Sequence, residues 1–116
     1  MDPNAALELP FELTVTRRAE DVVLILRGEL DLAAKEQYEQ ELEKLEDEGL
    51  ESLIVDLRAL RFIDSTGIKL LLRTLRDSEE NGFTVTFVQG TGQVPELLEV
   101  TGVAEQLPLV DESALP

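Results

Sequence analysis

The sequence predicts a single α/β domain in which a small mixed sheet is covered by helices. Two apolar runs, at 22–26 and 52–57, are typical of interior strands, and the alternating segment at 11–16 is typical of a strand with one solvated face. Segments with helical periodicity at 34–48 and 68–75 alternate with the strands. A chain of 116 residues can bury one hydrophobic core but not two, so one domain is expected.

The first two strands are predicted to form a hairpin. Phe11, Leu13 and Val15 alternate with polar residues, a turn is expected at 19–21, and the segment VVLILRGEL follows at 22–30. This hairpin would contribute one antiparallel pair to the sheet.

Two longer helices are predicted from the spacing of their apolar residues. Over 34–48 these residues recur at offsets of four, eight and eleven, and Gly49 supplies a stop: Ala34, Tyr38, Leu42 and Leu45. The second helix contains the full i, i+3, i+4, i+7 pattern and ends at Asn81 and Gly82: Ile68, Leu71, Leu72 and Leu75.

The remaining segments complete the order β-β-α-β-α-β-α. SLIVDL at 52–57 is predicted as a strand followed by a loop at 58–62, and FTVTFV at 83–88 as another strand. A short helix is expected at 94–100, after which Val103, Leu107 and Leu109 are expected to pack back on the core. The two β-α-β crossovers predict parallel strands.

Composition excludes several classes of chemistry. The sequence contains no cysteine and no histidine, which rules out disulfides, thiol nucleophiles, Cys/His zinc sites and a Ser-His-Asp triad. No glycine-rich nucleotide loop of the GxxxxGKS/T kind occurs. We therefore expect a protein that is not an enzyme, with no catalytic residue, no metal and no cofactor.

The charge excludes further partners. Twenty-five acidic residues against 10 basic ones give a net charge of −15, which repels nucleic acid and anionic membrane surfaces. No apolar run reaches the ~18 residues of a membrane span, and the N-terminus lacks the pattern of a secretory signal. A cytoplasmic location is expected. The acidity either keeps the surface solvated or contributes to the choice of partner, and the sequence leaves both open.

The segment FIDSTGI at 62–68 is the strongest candidate for a functional site. Ser65 lies at a loop-to-helix junction, where its hydroxyl is predicted to cap the helix. A phosphate on Ser65 would also be accepted there, because the amino end of a helix favours negative charge. Asp64 and Thr66 flank the serine, and Gly67 is interpreted as a place where the backbone of another molecule approaches closely.

Three other residues have both a structural and a functional interpretation. Asp31 ends the second strand as a cap or turn residue, and it shares a surface with Asp64 and Ser65 if strands two and three are neighbours. Leu70 lies off the apolar stripe of its helix; it either flanks a wide buried face or forms an exposed apolar contact beside Ser65. Asp56 is expected to be a polar group at the end of its strand.

Four segments together resemble a known family. GELD at 28–31, IVDL at 54–57, FIDSTGI at 62–68 and PELLEVTGV at 95–103 are similar to the STAS domain of bacterial anti-sigma factor antagonists. The resemblance covers about 11–110, with an N-terminal extension at 1–10 and a C-terminal tail at 111–116. It implies a four- or five-stranded sheet with helices packed mainly on one face.

The resemblance also implies a function. Such antagonists bind an anti-sigma factor that is a serine kinase and thereby release a sigma factor, until phosphorylation of one serine ends the binding. Ser65 matches that serine, and a PP2C-type phosphatase would restore it. Asp31, Asp64, Thr66, Gly67 and Leu70 are assigned to the kinase-binding surface. The free protein is expected to be a monomer or a weak dimer.

A second function remains open. The domain could instead be a docking or scaffold subunit of a sensory or lipid-transport complex, in which Ser65 is a contact or a cap without phosphoryl turnover. A STAS domain of an anion transporter is disfavoured by the lack of a membrane span.

Overall fold

The computed structural model describes residues 10–112, and this part of the chain contains five strands and three helices. The strands are β1 (Glu12–Arg18), β2 (Asp21–Leu30), β3 (Ser52–Ile63), β4 (Thr84–Val88) and β5 (Leu109–Val110). The helices are α1 (Lys35–Asp47), α2 (Ser65–Asn81) and α3 (Gln93–Val100), with 3-10 turns at Leu32–Ala34 and Val103–Glu105. The predicted order of elements is confirmed. A fifth strand, β5, follows α3, which is the last element of the predicted order. Most of the extension expected at 1–10 and of the tail expected at 111–116 lies outside the described residues.

The five strands form one sheet in the order β1-β2-β3-β4-β5. β1 pairs antiparallel with β2, as the hairpin prediction requires, and Leu13 lies opposite Leu26. The three pairs from β2 to β5 are parallel. The mixed sheet is therefore confirmed, and the carboxyl ends of β2 and β3 lie side by side.

The hydrophobic core covers one face of this sheet. Register places one row of side chains across all five strands on that face: Val15, Leu24, Val55, Phe87 and Leu109. Each helix contributes buried side chains to the same cluster, among them Leu42 from α1, Leu71 from α2 and Leu98 from α3. The helices thus pack on one face, as expected. The second face carries a row that includes Ile25, Asp56 and Val88.

The loop predicted at 58–62 is wrong, because β3 continues to Ile63. Two register shifts interrupt its pairing with β2, one between Ile25 and Arg27 and one between Gly28 and Glu29. Each shift adds one residue to β3, so its buried side chains Leu57, Leu60 and Ile63 recur every third residue instead of every second. Bulges broke the alternation that would have identified the strand.

Asp56 consequently lies within β3 and not at its end, which corrects the second expectation for this strand. Its side chain is buried on the second face of the sheet, where Oδ1 and Oδ2 accept hydrogen bonds from the Arg58 guanidinium at 2.9 and 2.8 Å. Burial favours the protonated form, but the Arg58 hydrogen bonds outweigh it and hold the pKa of Asp56 below its ordinary value. Asp56 is a structural ion-pair partner.

The buried face of α2 is rotated away from the predicted stripe. Ile68, Leu72 and Leu75 are only half-buried, whereas Thr74 and Ser78 are buried. These two polar residues tolerate burial because Thr74 Oγ1 donates to the Leu70 carbonyl at 2.8 Å and Ser78 Oγ donates to the Leu75 carbonyl at 2.6 Å. A count of apolar residues alone does not find this face.

Helices α1 and α2 are joined by a buried polar contact. The Tyr38 hydroxyl and Thr74 Oγ1 lie 2.6 Å apart, and both side chains are fully buried. Burial raises the pKa of the Tyr38 hydroxyl above its ordinary value.

No helix within residues 10–112 is both long and apolar enough to cross a membrane.

Candidate functional site around Ser65

The candidate site lies where two parallel strands end. Leu30 of β2 pairs with Ile63 of β3, and the next residues along each strand are Asp31 and Asp64. The backbone N–H of Asp64 donates to the Leu30 carbonyl at 3.4 Å, so the pairing extends one step beyond the strand. The sheet therefore brings Asp31 to the same edge as Asp64 and Ser65, as the neighbouring-strand argument expected.

Asp64 is the residue that caps α2, which corrects the prediction for Ser65. Its Oδ1 accepts a hydrogen bond from the Gly67 N–H at 3.0 Å, and its carbonyl accepts from the Ile68 N–H at 3.0 Å. Its backbone is extended, with φ −109° and ψ −172°, as is usual at an N-cap. Because α2 starts directly after β3, the residue that follows Ile63 becomes the cap, and Ser65 becomes the first helical residue.

Ser65 is left with an unoccupied hydroxyl. Its side chain is exposed and makes no hydrogen bond to any residue of the described range 10–112. It lies at the amino end of a 17-residue helix, where free backbone N–H groups favour a negative charge. A phosphate on Oγ would displace no internal contact.

Asp31 caps the 3-10 turn before α1, which is its structural interpretation from the sequence. Its Oδ1 accepts from the Ala34 N–H at 3.3 Å, and its side chain is half-buried. Asp31 and Asp64 therefore have equivalent roles at the ends of adjacent strands. Each has a second carboxylate oxygen that accepts no hydrogen bond from residues 10–112, at the sheet edge where Ser65 lies.

Gly67 serves the internal packing of this chain, not the approach of another molecule. A Cβ atom here would lie 2.2 Å from the Leu30 carbonyl oxygen and 2.6 Å from Ile63 Cγ1. Only glycine allows α2 to cross the ends of β2 and β3 at this distance. The interpretation of Gly67 as an opening for a partner backbone is wrong, because the residue is buried beneath its own strands.

Leu70 is also buried. Its side chain is 4% exposed and belongs to the main core, so the alternative of an exposed apolar contact is wrong. Two apolar residues that the sequence patterns did not indicate are exposed near the start of α2: Leu32 at 69% and Phe62 at 36%. Leu32 directly follows Asp31, and Phe62 precedes Asp64 by two residues. Both lie within two residues of a capping aspartate and outside the apolar stripes of the helices. This position in the sequence is the signal that could have indicated their exposure.

Thr66 opens onto a groove that we call the α1–α2 groove. It has a volume of about 500 Å³ and lies between residues 32–39 and the face of α2 from Thr66 to Arg76. Thr66 is half-buried in it, in contrast to the exposed Ser65. Within residues 10–112, no cluster of three or more carboxylate side chains is arranged to hold a metal ion.

Curated relatives and solved structures resemble this chain over most of its length. An anti-sigma-B factor antagonist of Staphylococcus aureus is 27% identical over 78 residues, which is 67% of this chain and 72% of that protein. The anti-sigma factor antagonist SpoIIAA in its unphosphorylated form is 27% identical, with a TM-score of 0.70 over 88% of this chain and 87% of that one.

Two further structures share the fold. The phosphorylated form of the Bacillus cell fate determinant SpoIIAA has a TM-score of 0.65 at 26% identity, over 88% of this chain and 90% of that one. An anti-sigma factor antagonist from Mycobacterium paratuberculosis has a TM-score of 0.77 at 22% identity, over 86% of this chain and 85% of that one. The family model for the STAS domain matches residues 11–114. The resemblance of the four sequence segments is thus confirmed, and the chain belongs to the STAS domain family.

Proposed function

We propose that this chain is an anti-sigma factor antagonist that binds an anti-sigma factor serine kinase through the surface around Ser65. Binding frees a sigma factor, and phosphorylation of Ser65 ends the binding. The observation that supports the proposal best is the state of Ser65, which is exposed, unbonded within the described residues and first in α2. A relative that shares the fold exists in a phosphorylated and an unphosphorylated form.

The transfer itself requires little from this chain. Ser65 Oγ forms a bond to the γ-phosphorus of ATP, the bond between that phosphorus and the β,γ-bridging oxygen breaks, and ADP leaves. The hydroxyl proton goes to a base that we assign to the kinase, where a carboxylate of the catalytic loop ordinarily takes this role. A PP2C-type phosphatase reverses the modification by hydrolysis, which releases inorganic phosphate.

Charge explains how one phosphate would end the binding. It adds about −1.5 to −2 charges at neutral pH, at the sheet edge that also carries Asp31 and Asp64. A hundredfold weaker complex requires about 2.7 kcal/mol, and an unpaired charge enclosed in an interface costs that much or more. The backbone at the site is already fixed by the Asp64 cap, so refolding is not part of the mechanism.

The remaining site residues have defined places in this proposal. Asp31 and Asp64 hold the two turns that frame the serine and present acidic groups to the kinase, while Thr66 contacts it from the mouth of the α1–α2 groove. Gly67 and Leu70 act indirectly, since both are buried beneath this surface. The proposal places the protein in the cytoplasm, as a monomer or weak dimer when free.

Intact mass before and after incubation with the kinase and ATP tests the proposal. The wild-type chain should gain one phosphate, the Ser65→Ala variant none, and the matched Thr66→Ala variant one. Ser65→Asp should bind the kinase much more weakly than wild type. A stable complex without any phosphate transfer would contradict the proposal and support the docking-subunit function. A phosphate on Ser65→Ala would refute the assignment of the acceptor.

A further inference from the structure

The α1–α2 groove concentrates positive charge in a strongly acidic protein. Among the described residues, four of the 10 basic residues of the chain line it, together with one carboxylate, that of Glu39. Arg73 is neutralised locally, because it pairs with Glu39, Glu43 and Asp77. Lys35, Lys69 and Arg76 are exposed and form no ion pair with any residue from 10 to 112. Their charges are available to a partner.

The floor and one rim of the same groove are apolar. Leu70 forms part of the floor, Leu72 is half-buried, and Leu32 projects into solvent with 69% of its surface exposed. A small anion bound to the lysines would leave Leu32 uncovered. An acidic segment with one or two apolar side chains would satisfy both features, because its carboxylates meet the basic rim while its apolar groups cover Leu32 and Leu72.

The groove is continuous with Ser65 along one side of α2. Ser65, Lys69, Leu72 and Arg76 follow each other at spacings of four, three and four residues, which places them in one row on a helix. A kinase that reaches the Ser65 hydroxyl therefore lies over the start of this row. Two copies of this chain would repel each other through their net charge of −15, which disfavours a second copy as the occupant.

We propose that the α1–α2 groove binds an acidic, partly apolar segment of the anti-sigma factor kinase, and that a phosphate on Ser65 competes with this segment for Lys69. The inference rests on the proposed function and extends it. Ser65 then separates an acidic half of the surface, with Asp31 and Asp64, from a basic half in the groove. Opposite charges on the two sides of the acceptor fix the orientation of the kinase.

Charge-reversed variants test the groove by the dissociation constant of the kinase complex, measured by calorimetry at low and high salt. Lys69→Glu should weaken binding at least tenfold at low salt, and the effect should shrink as salt increases. Lys44→Glu, an exposed lysine of α1 outside the groove, is the matched control and should change binding less than twofold. Equal effects of the two variants would show that only the net charge of the protein matters, and the proposed binding in the groove would be wrong.

Arg76→Glu separates the groove from the immediate surroundings of Ser65. Arg76 lies 11 residues further along α2, about 16 Å at 1.5 Å per residue, so its effect reports contact along the groove. Binding should weaken severalfold. If Lys69→Glu weakens binding and Arg76→Glu does not, the groove is not occupied and the proposal fails. Self-association of the free chain that either variant abolishes would identify a second copy as the occupant instead, which also overturns it.

Competition by the phosphate has its own measurement. Phosphorylation should weaken kinase binding by a larger factor in wild type than in Lys69→Gln, because the variant has no lysine for the phosphate to remove from the acidic segment. Equal factors would refute the competition. Failure of the inference can be distinguished from failure of the proposed function. If wild type binds the kinase and gains a phosphate, and the groove variants bind equally well, only the proposal for the groove is wrong. Wild type that neither binds nor gains a phosphate overturns both.

Discussion

Gly67 lies where α2 crosses the carboxyl end of β2, and a methyl group there would press against the Leu30 carbonyl oxygen at 2.2 Å. Within a helix, alanine in place of glycine is ordinarily favourable by about 1 kcal/mol. Here the overlap is with backbone, which cannot rotate away as a side chain can. The steric cost therefore exceeds the gain in helix propensity, and the net effect of alanine at this position is destabilising.

We expect Gly67→Ala to lower the free energy of unfolding by about 1–3 kcal/mol, the usual range for overpacking in a core. Urea denaturation followed by circular dichroism measures this. Ser65→Ala, two residues earlier, is the control and should stay within about 0.5 kcal/mol of wild type, because the exposed hydroxyl has no partner among the described residues. An equally stable Gly67→Ala variant would contradict the close contact.

The residues of the site could be predicted in part. The shared edge of Asp31 and Asp64 follows from consecutive parallel strands, and the structure confirms it. The cap was misplaced by one residue, since aspartate and serine are about equally good N-caps and the sequence alone does not locate the end of β3. The role of Gly67 depends on the distance between α2 and β2, which no local pattern encodes.

At the scale of elements, α1 and α2 are coupled through the Tyr38 and Thr74 hydroxyl groups. The two hydroxyls are not equivalent, because Thr74 Oγ1 also donates to the Leu70 carbonyl, whereas the Tyr38 hydroxyl makes no other hydrogen bond to residues 10–112. When Thr74 donates to that carbonyl, it is Tyr38 that donates to Thr74. Removal of the Tyr38 hydroxyl and removal of the Thr74 hydroxyl should therefore lower the free energy of unfolding by different amounts.

Tyr38→Phe should cost about 0.5–1.5 kcal/mol, the net value of one hydrogen bond, whereas Thr74→Val should cost about 1–3 kcal/mol because it leaves a buried phenol unsatisfied. The double variant Tyr38→Phe/Thr74→Val should cost less than the sum of the two. Thermal or urea unfolding of the four proteins measures this cycle. Strict additivity would show that the two hydroxyls do not interact.

The elements were predictable wherever hydrophobic periodicity was undisturbed. The stripe of α1 is buried as expected, with Tyr38, Leu42 and Leu45 each at most 1% exposed. Periodicity did not predict the elements where bulges change the spacing of buried residues, as in β3, or where polar residues occupy the core, as Thr74 and Ser78 do in α2. The α1–α2 groove depends on the spacing of two helices and had no signal in either.

For the whole molecule, an excess of carboxylates makes stability depend on pH. Partial burial and the negative charge of Asp77 raise the pKa of Glu46, although Asn81 donates a hydrogen bond to Glu46 Oε1 at 2.7 Å. A carboxyl whose pKa is raised by folding is destabilising when ionised, so this cost appears as pH rises through the ordinary and then the folded pKa. Asp56 behaves in the opposite way, and its contribution is lost in acid as pH falls through its lowered pKa.

Glu46→Gln should therefore be more stable than wild type at pH 7, and the difference should shrink as pH falls towards about 4, where the unfolded carboxyl is itself protonated. The amide oxygen can still accept from Asn81. Melting temperatures of both proteins between pH 4 and 8 measure the effect. Glu79→Gln, which removes the same charge at an exposed position of α2, is the control for net charge. An equal increase in melting temperature in both variants would show that the effect comes from net charge and not from the surroundings of Glu46.

The two bulges of β3 have a consequence for how proteins of this architecture can diverge. They add two residues between Asp56 and Asp64, while the pairing of Ile63 with Leu30 fixes the face of the sheet from which the chain enters α2. Loss of the extra residue at either bulge would restore the two-residue alternation there, and Ile63 would still lie opposite Leu30 with its side chain in the core. Substitutions at the exposed Arg61 leave this spacing intact. The strand can therefore change its composition at such positions and its length at the bulges, while Asp64 and Ser65 keep their place at the end of the sheet.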